Sequence, residues 1–345
     1  MVVEEIEDIA VLGAGVMGHG IAQVAATSGY NVFLSDIEER YLERGRESIY
    51  RSLAKSVERD RIIKTEMEEI LDRISYTLDL DEAVGDADLV IEAVPERMNI
   101  KKQVWRDAST AAPDTSILAT NTSSLSINEI AKSVSKPERF LGMHFFNPPV
   151  IMNLVELILG KQTTNNCVDL ALKIVYSMGK TPVKVRKDSP GFIVNRILIT
   201  YLNEAAKLLN GYSKRQIDAA MHYREGMPMG PFMLMDLIGI DITYDILKVF
   251  EEEIGPGYAS AEPIKTLYNR KKFGRKTGEG FYSYDERPKI TSDQAEGFDT
   301  HLLMDILRSE AEKVVEEGIA SKEDVNKALE LGANIPNPPF KTSGE

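Results

Sequence analysis

The sequence predicts an α/β domain built on a doubly wound parallel sheet, followed by an all-helical domain and part of a second one. Three observations lead there. Residues 9–36 order a strand, a glycine-rich turn, a helix and a second strand ending in an acid. Short apolar strands then alternate with helices to residue 186, which implies a parallel sheet with ligands at the carboxyl ends of its strands. Beyond Asp188-Ser189-Pro190-Gly191 strand signals are few until Phe281, and the last stretch of chain echoes an earlier helical one. At about 150 residues per domain, 345 residues make two domains and a remainder.

The first element is an apolar run at 9–12 that enters Gly13-Ala14-Gly15-Val16-Met17-Gly18. A helix is expected over 19–28, with Ile21, Ala22, Val24 and Ala25 small or apolar and Gly29 closing it. Val32-Phe33-Leu34 forms the next strand, and Asp36 stands at its end. Each part has a mechanical task. Gly13 makes the tight turn, Gly15 lets a pyrophosphate approach the backbone, and Gly18 lets helix and strand pack closely. The helix N-terminus offers free N–H groups to the phosphates, and Val16 and Met17 of the turn belong to the same cofactor site. Asp36 would accept hydrogen bonds from a ribose diol and repel a 2′-phosphate, so this Rossmann-type pattern favours NAD. Arg40 leaves NADP as the second reading. His19, beside the loop, is expected to be structural or solvent-facing.

Residues 38–71 are charged and helical, with Arg40, Arg44, Arg46, Arg51, Lys55, Arg59 and Arg61 spaced along them. This exceeds what a crossover needs and predicts a helix pair projecting from the sheet edge. That pair is either a solvated face or a platform for an anionic substrate. Further strands are expected at 74–77, 89–93, 117–119, 140–146, 154–159 and 181–185, with helices at 100–111 and 168–178. Past a boundary near 186, helices are expected at 192–209, 213–221, 233–238, 242–253 and 263–271. The expected units are 1–186, 187–285 and 286–345.

Composition narrows the function classes. Lys and Arg total 41 against 54 Asp and Glu, a net charge of −13. Such a chain is a poor ligand for nucleic acid or an anionic membrane, because it must overcome its own field. Hydrophobic residues at 43% and charged residues at 28% are globular values, which excludes disorder. A single cysteine, Cys167, excludes a disulfide framework and a cysteine-based zinc site and points to a reducing compartment. No apolar run has the length of a membrane span. Residues 1–8 hold four acids and no apolar core of a signal peptide, so the cytoplasm is the expected location.

Of four histidines, His222 and His301 are uninformative. His144 lies in Gly142-Met143-His144-Phe145-Phe146-Asn147-Pro148, and Glu156 follows in the next apolar strand. If the two strands pair as a hairpin, the carboxylate could fix the imidazole tautomer and leave the other ring nitrogen as a base. A satisfied core pair is the equal alternative on these residues alone. Asn121-Thr122-Ser123-Ser124 either caps a helix at 127–131 or faces a cofactor, and Asn195 is otherwise a core-edge residue.

Taken together, GAGVMGHGIA, IEAVPE, NTSSL, GMHFFNPP with LVELI, DSPGFIVNR and GRKTGEGFY resemble the L-3-hydroxyacyl-CoA dehydrogenases, in family order over about residues 6–284. The resemblance implies NAD-dependent oxidation of a 3-hydroxyacyl-CoA thioester, and its reverse. It implies that His144 is the general base and Glu156 its orienting partner. Ser123 would hydrogen-bond the 3-oxygen near the nicotinamide, and Asn195 would polarise that oxygen or position the thioester. Asp36 would hold the adenosine ribose, with Glu96, Lys101 and Asn147 near the ribose and nicotinamide and Lys276 closing over the cofactor. Ser52 and Arg59 would meet coenzyme A, although the family often has lysine where Arg59 stands. In the family the helical domain forms a homodimer interface.

The departure is C-terminal. Residues 302–340 echo 197–232 at an offset of about 106 to 108 residues, a partial internal duplication. Glu310-Ala311-Glu312-Lys313 matches Glu204-Ala205-Ala206-Lys207, while Thr300 replaces Asn195. Residues 285–345 hold 14 acids against 7 bases. The half-copy is expected to cover part of the dimer surface. Multifunctional relatives carry two repeats, and some add an enoyl-CoA hydratase domain; no such module lies in these residues, so hydration would need a partner or a longer chain. Two other readings stand beside this one: within enzymes, oxidation of a free hydroxy or sugar acid, and in a different class, a non-catalytic crystallin-like role.

Overall fold

The computed structural model describes residues 6–286 and 288–341. Most of the acidic start at 1–8 and the end of the partial repeat at 342–345 lie outside the described residues. The chain divides into two compact units, Met1–Asp188 and Ser189–Glu345. The partial repeat falls inside the second unit and does not form a third one.

The first unit runs β1 (Asp8–Leu12), α1 (Val16–Thr27), β2 (Asn31–Ser35), α2 (Glu39–Glu58), α3 (Lys64–Asp72), β3 (Ile74–Thr77) and α4 (Leu80–Val84). It continues with β4 (Leu89–Glu92), α5 (Met98–Ala111), β5 (Ile117–Thr120), α6 (Ile127–Ala131), β6 (Phe140–Phe145), β7 (Leu154–Leu159), α7 (Asn165–Ser177) and β8 (Thr181–Val185). The strands form one sheet in the order β3-β2-β1-β4-β5-β6-β7-β8. All neighbours pair in parallel except β6 and β7, which are antiparallel. The order reverses between β1 and β4, and an open α/β sheet binds its ligand at such a switch point.

Strands buried on both faces read as continuous apolar runs, as at 154–159, while the edge strands 74–77 and 181–185 are only partly buried. Alternation then assigns the faces. Ile9, Val11, Ile91, Ala119, Met143 and Phe145 join the core shared with α1, α2, α3 and α7. Phe140 faces the other way, edge-on to Trp105 of α5 at 5.0 Å, and His144 lies on that same side.

Two differences from the expected elements have simple causes. Helix α1 starts at Val16 instead of His19 because Gly18, which read as a turn residue, is helical and buried. Helix α4 escaped notice because five residues show no periodicity; the Asp79 side chain caps it by accepting the Asp81 and Glu82 N–H groups.

The second unit is helical: α8 (Val194–Lys207), α9 (Lys214–Tyr223), α10 (Pro231–Ile238), α11 (Ile240–Glu253), α12 (Glu262–Asn269), α13 (His301–Glu316) and α14 (Lys322–Ala333). Helix α8 is its hub, packing against α10, α11, α12, α13 and α14. The pair α13 and α14 repeats α8 and α9 in detail. Ser213 caps α9 by accepting the Gln216 N–H, and Ser321 caps α14 by accepting the Asp324 N–H. Phe232 N–H donates to Asp218 at 2.8 Å, and at the aligned positions Phe340 N–H donates to Asn326 at 3.0 Å. Among the described residues no helix is long and apolar enough to cross a membrane.

The turn between β1 and α1 is the tightest backbone approach in the first unit. Gly13 has φ +102°, and a Cβ on Gly18 would sit 1.7 Å from the Gly13 carbonyl oxygen. Gly18→Ala must therefore displace the turn. We expect a loss of about 1–3 kcal/mol of stability in denaturant melts, together with loss of dinucleotide binding.

Candidate active site

Helix α1 opens on Gly15 with no side-chain cap, so its first N–H groups are turned to whatever lies before it. A Cβ on Gly15 would meet nothing within 4 Å, which leaves that side of the turn open to a phosphate. Val16 is exposed there, while Met17 packs against the core. Asp36, just past β2, accepts the Ala14 N–H at 2.7 Å and the Ile37 N–H at 2.7 Å. The acid is thereby tied to the glycine turn. Arg40 is paired with Glu38 at 2.7 Å, an engagement that competes with any 2′-phosphate. His19 is half-buried, and burial lowers its pKa, which fits the structural reading of this residue.

Past the switch point, β4 ends in Glu92, which is fully buried. Its carboxylate accepts from Val94 N–H (2.9 Å), Lys101 Nζ (2.7 Å), Trp105 Nε1 (3.3 Å) and Thr120 Oγ1 (2.7 Å). Lys101 is likewise buried and also pairs with Glu96 at 3.3 Å. Glu96 Oε1 accepts from the Thr122 hydroxyl (2.6 Å), the Ser123 N–H (2.9 Å), the Ser123 hydroxyl (3.2 Å) and the Ser124 N–H (3.2 Å). Burial alone would raise the Glu96 pKa, but Lys101, Thr122 and Ser123 outweigh it and hold the carboxyl below its ordinary range. Glu96, Lys101 and Ser123 are thus one connected cluster, with the Lys101 ammonium buried beneath it.

The Asn121–Ser124 stretch does not cap α6. Ser126 does, accepting the Glu129 N–H. Asn121 instead reaches the neighbouring strand, where its Oδ1 accepts the Phe145 N–H at 2.8 Å. That bond ties the segment holding Ser123 to the strand holding His144.

His144 and Glu156 stand directly opposite each other in the antiparallel pairing of β6 with β7. Nδ1 lies 2.7 Å from Glu156 Oε2. Glu156 is fully buried and His144 nearly so, so water does not compete for the bond. Phe146 packs on the imidazole with ring centroids 4.5 Å apart. Asn147 follows as an exposed residue before a cis peptide bond to Pro148. The turn is held from below by Lys180, whose Nζ donates to the carbonyls of Pro149 (2.7 Å) and Met152 (2.9 Å). Burial lowers the Lys180 pKa.

Sequence reasoning missed Glu92, Asn121 and Lys180 in these roles. A charged residue at the end of an apolar strand, or just before the next one, was the available signal for Glu92 and Lys180. Nothing local distinguishes Asn121.

The remaining expected residues lie elsewhere. Ser52 is half-buried on α2, and Arg59 is the exposed residue that ends it. In the second unit Asn195 is the second residue of α8. Lys276 sits in the short turn Arg275–Thr277, paired with Asp241 at 2.6 Å. The surrounding GRKTGEGFY segment wraps one carboxylate: Asp236 accepts the N–H groups of Phe281 (2.8 Å) and Tyr282 (2.9 Å) and the Tyr284 hydroxyl (3.0 Å). A Cβ on Gly280 would lie 2.0 Å from that carboxylate, so this motif glycine is a packing requirement.

The Lys101–Glu96 contact makes a pH prediction. With Lys101→Met, only the Thr122 and Ser123 hydrogen bonds still oppose burial, and the Glu96 pKa rises. Dinucleotide affinity should fall about tenfold at neutral pH and recover as pH is raised, as followed by ligand fluorescence between pH 6 and 9. A pH-independent loss would mean that Glu96 stays ionised.

Comparison with known proteins gives a consistent result. Residues 8–189 match the family model described as 3-hydroxyacyl-CoA dehydrogenase, NAD binding domain, and residues 191–284 match its C-terminal domain. The chain is 41% identical to 3-hydroxybutyryl-CoA dehydrogenase of Clostridioides difficile, over 81% of this chain and 99% of that one. It is 38% identical to the fatty acid oxidation complex subunit alpha of Acinetobacter baylyi, over 97% of this chain but only 50% of that protein. The crystal structure of 3-hydroxybutyryl-CoA dehydrogenase from Escherichia coli K12 superposes with a TM-score of 0.91 at 28% identity, covering 97% of this chain and 90% of that one. The chain belongs to the 3-hydroxyacyl-CoA dehydrogenase family and carries its NAD-binding domain.

Proposed function

We propose that this chain interconverts (S)-3-hydroxyacyl-CoA and 3-ketoacyl-CoA with NAD. The observation that supports this most directly is the buried His144–Glu156 pair, two strands from the end of β4 in a dinucleotide-binding sheet. The residues fit the cofactor: an uncapped helix N-terminus, open space at Gly15 and a carboxylate tied to the turn. When bound, the nicotinamide supplies the hydride acceptor.

His144 acts as the general base. Its Nδ1 is committed to Glu156, so Nε2 takes the 3-hydroxyl proton in oxidation and returns it in reduction. The buried carboxylate stabilises the imidazolium formed on the way. Ser123, held through its N–H by Glu96, turns its hydroxyl from Glu96 to hydrogen-bond the 3-oxygen, and Asn195 polarises that oxygen or positions the thioester. Asp36 holds the ribose diol, and Glu96 and Asn147 complete the cofactor site of the first unit, with Lys101 holding Glu96 ionised; Lys276 is assigned to the cofactor on the family resemblance. Ser52 on α2 and Arg59 at its end meet the coenzyme A portion.

His144→Gln should lower turnover by about two to four orders of magnitude while NADH affinity stays within a factor of two. Loss of NADH binding in that variant would identify a structural histidine. Following NADH absorbance with acetoacetyl-CoA, a longer 3-ketoacyl-CoA and unesterified hydroxy acids separates a thioester enzyme from a free-acid one; no turnover of either thioester sinks the assignment.

A homodimer through the helical unit is part of the same reading, and the partial repeat covers some of that surface within the chain. The packing of α13 against α8 supports this reading. Deleting residues 286–345 should then increase the assembled mass seen by light scattering. An unchanged mass with unchanged stability contradicts the covering role. Because the chain spans half of the subunit alpha relatives, a hydratase activity would come from a separate partner or a longer chain.

A further inference from the structure

One buried cation in the second unit takes its counter-charge from the partial repeat. Arg196 follows Asn195 in the first turn of α8 and is 1% exposed. Its Nε donates to Glu310 Oε1 at 2.5 Å, and its Nη2 donates to the Tyr258 hydroxyl at 3.0 Å and to Glu317 Oε1 at 3.1 Å. Its Nη1 reaches the Ser189 hydroxyl at 3.5 Å. Glu310 is equally buried and also accepts from Tyr258 at 2.8 Å and Lys313 at 3.0 Å. Both acids paired with Arg196 belong to the α13 segment, so its ion-pair partners come from beyond residue 285.

The duplication makes this arrangement one-sided. Glu310 aligns with Glu204, which among the described residues is paired with Lys207 three residues on. The copy has His301 near the position of Arg196, and it is exposed. The second copy thus retains the acid that the first copy's arginine needs.

The backbone around Arg196 has little slack. Gly191 and Phe192 both have positive φ, +75° and +54°. The Arg196 N–H closes the turn by donating to the Gly191 carbonyl at 3.0 Å. A Cβ on Gly191 would meet the Phe250 ring at 2.5 Å. The side chain of Arg196 is therefore pinned to α13 while its backbone sets the pitch of the turn that presents Asn195.

We propose that the partial repeat is a working part of the site: Glu310, acting through Arg196, is a positioning residue for Asn195. The proposal rests on the assignment of Asn195 to the substrate oxygen. It predicts a defect confined to the acyl-CoA step, because the glycine turn, Asp36 and the Glu96 cluster lie in the other unit.

The test is a double-mutant cycle in the full chain, with acetoacetyl-CoA reduction and NADH affinity as readouts. Glu310→Gln should lower kcat/KM for acetoacetyl-CoA about tenfold or more with the NADH dissociation constant within about twofold. In the Asn195→Ala background the same change should cost less than about twofold, since both act on one group. Glu310→Asp, which keeps the charge, should retain most of the activity. Wild-type kcat/KM in Glu310→Gln, or its full loss repeated on top of Asn195→Ala, overturns the proposal alone. Wild-type turnover in Asn195→Ala overturns the assignment of Asn195 and the proposal with it. Should Glu310→Gln not fold, Glu317→Gln at the exposed rim of the same guanidinium must show the same split at about twofold to threefold, and no split there also overturns it.

Discussion

A carboxylate with no water around it has to be satisfied by the protein itself, and Glu92 is such a group at the end of β4. Its donors come from the loop after β4, from α5 and from the end of β5, so meeting its need fixes those three segments relative to one another. Lys101 passes the constraint to Glu96, and Glu96 gathers Thr122, Ser123 and Ser124. Asn121 then extends it to the backbone of β6 beside His144. The carboxyl edge of the sheet is stiff because one buried charge sits beneath it.

The direction of β7 is the second constraint. In a parallel sheet a crossover helix would separate β6 from its neighbour, and a partner for His144 would come from distant sequence. The single antiparallel pairing brings a residue twelve positions away directly across the ladder. Side chains opposite each other in such a pair share one face, so register alone sets the 2.7 Å contact. The Arg196–Glu310 pair in the helical unit solves a similar problem by duplication: the acid is supplied by a copied helix instead of a hairpin.

Buried ionic pairs are poor sources of net stability, since desolvation offsets most of their attraction. Their presence here, at Glu92–Lys101 and Arg196–Glu310, and that of the buried His144–Glu156 hydrogen bond beside them are better understood as geometric. Each holds a chain segment that presents a candidate site residue, and each would be costly to leave half-made.

The sequence by itself determined the strand runs, the glycine turn with Asp36, a boundary near 186, the helical repeat and the candidacy of His144 with Glu156. These are legible because apolar runs, glycine spacing and repeat periods are local signals. Only the tertiary structure decided that Asn121 clamps β6 instead of capping α6, that Lys101 lies buried under Glu96, that Lys180 holds the turn after Asn147, and that Glu310 neutralises Arg196. Those four depend on which groups meet in three dimensions. A polar side chain looks the same in sequence whether it faces water or is the sole partner of a buried group far along the chain.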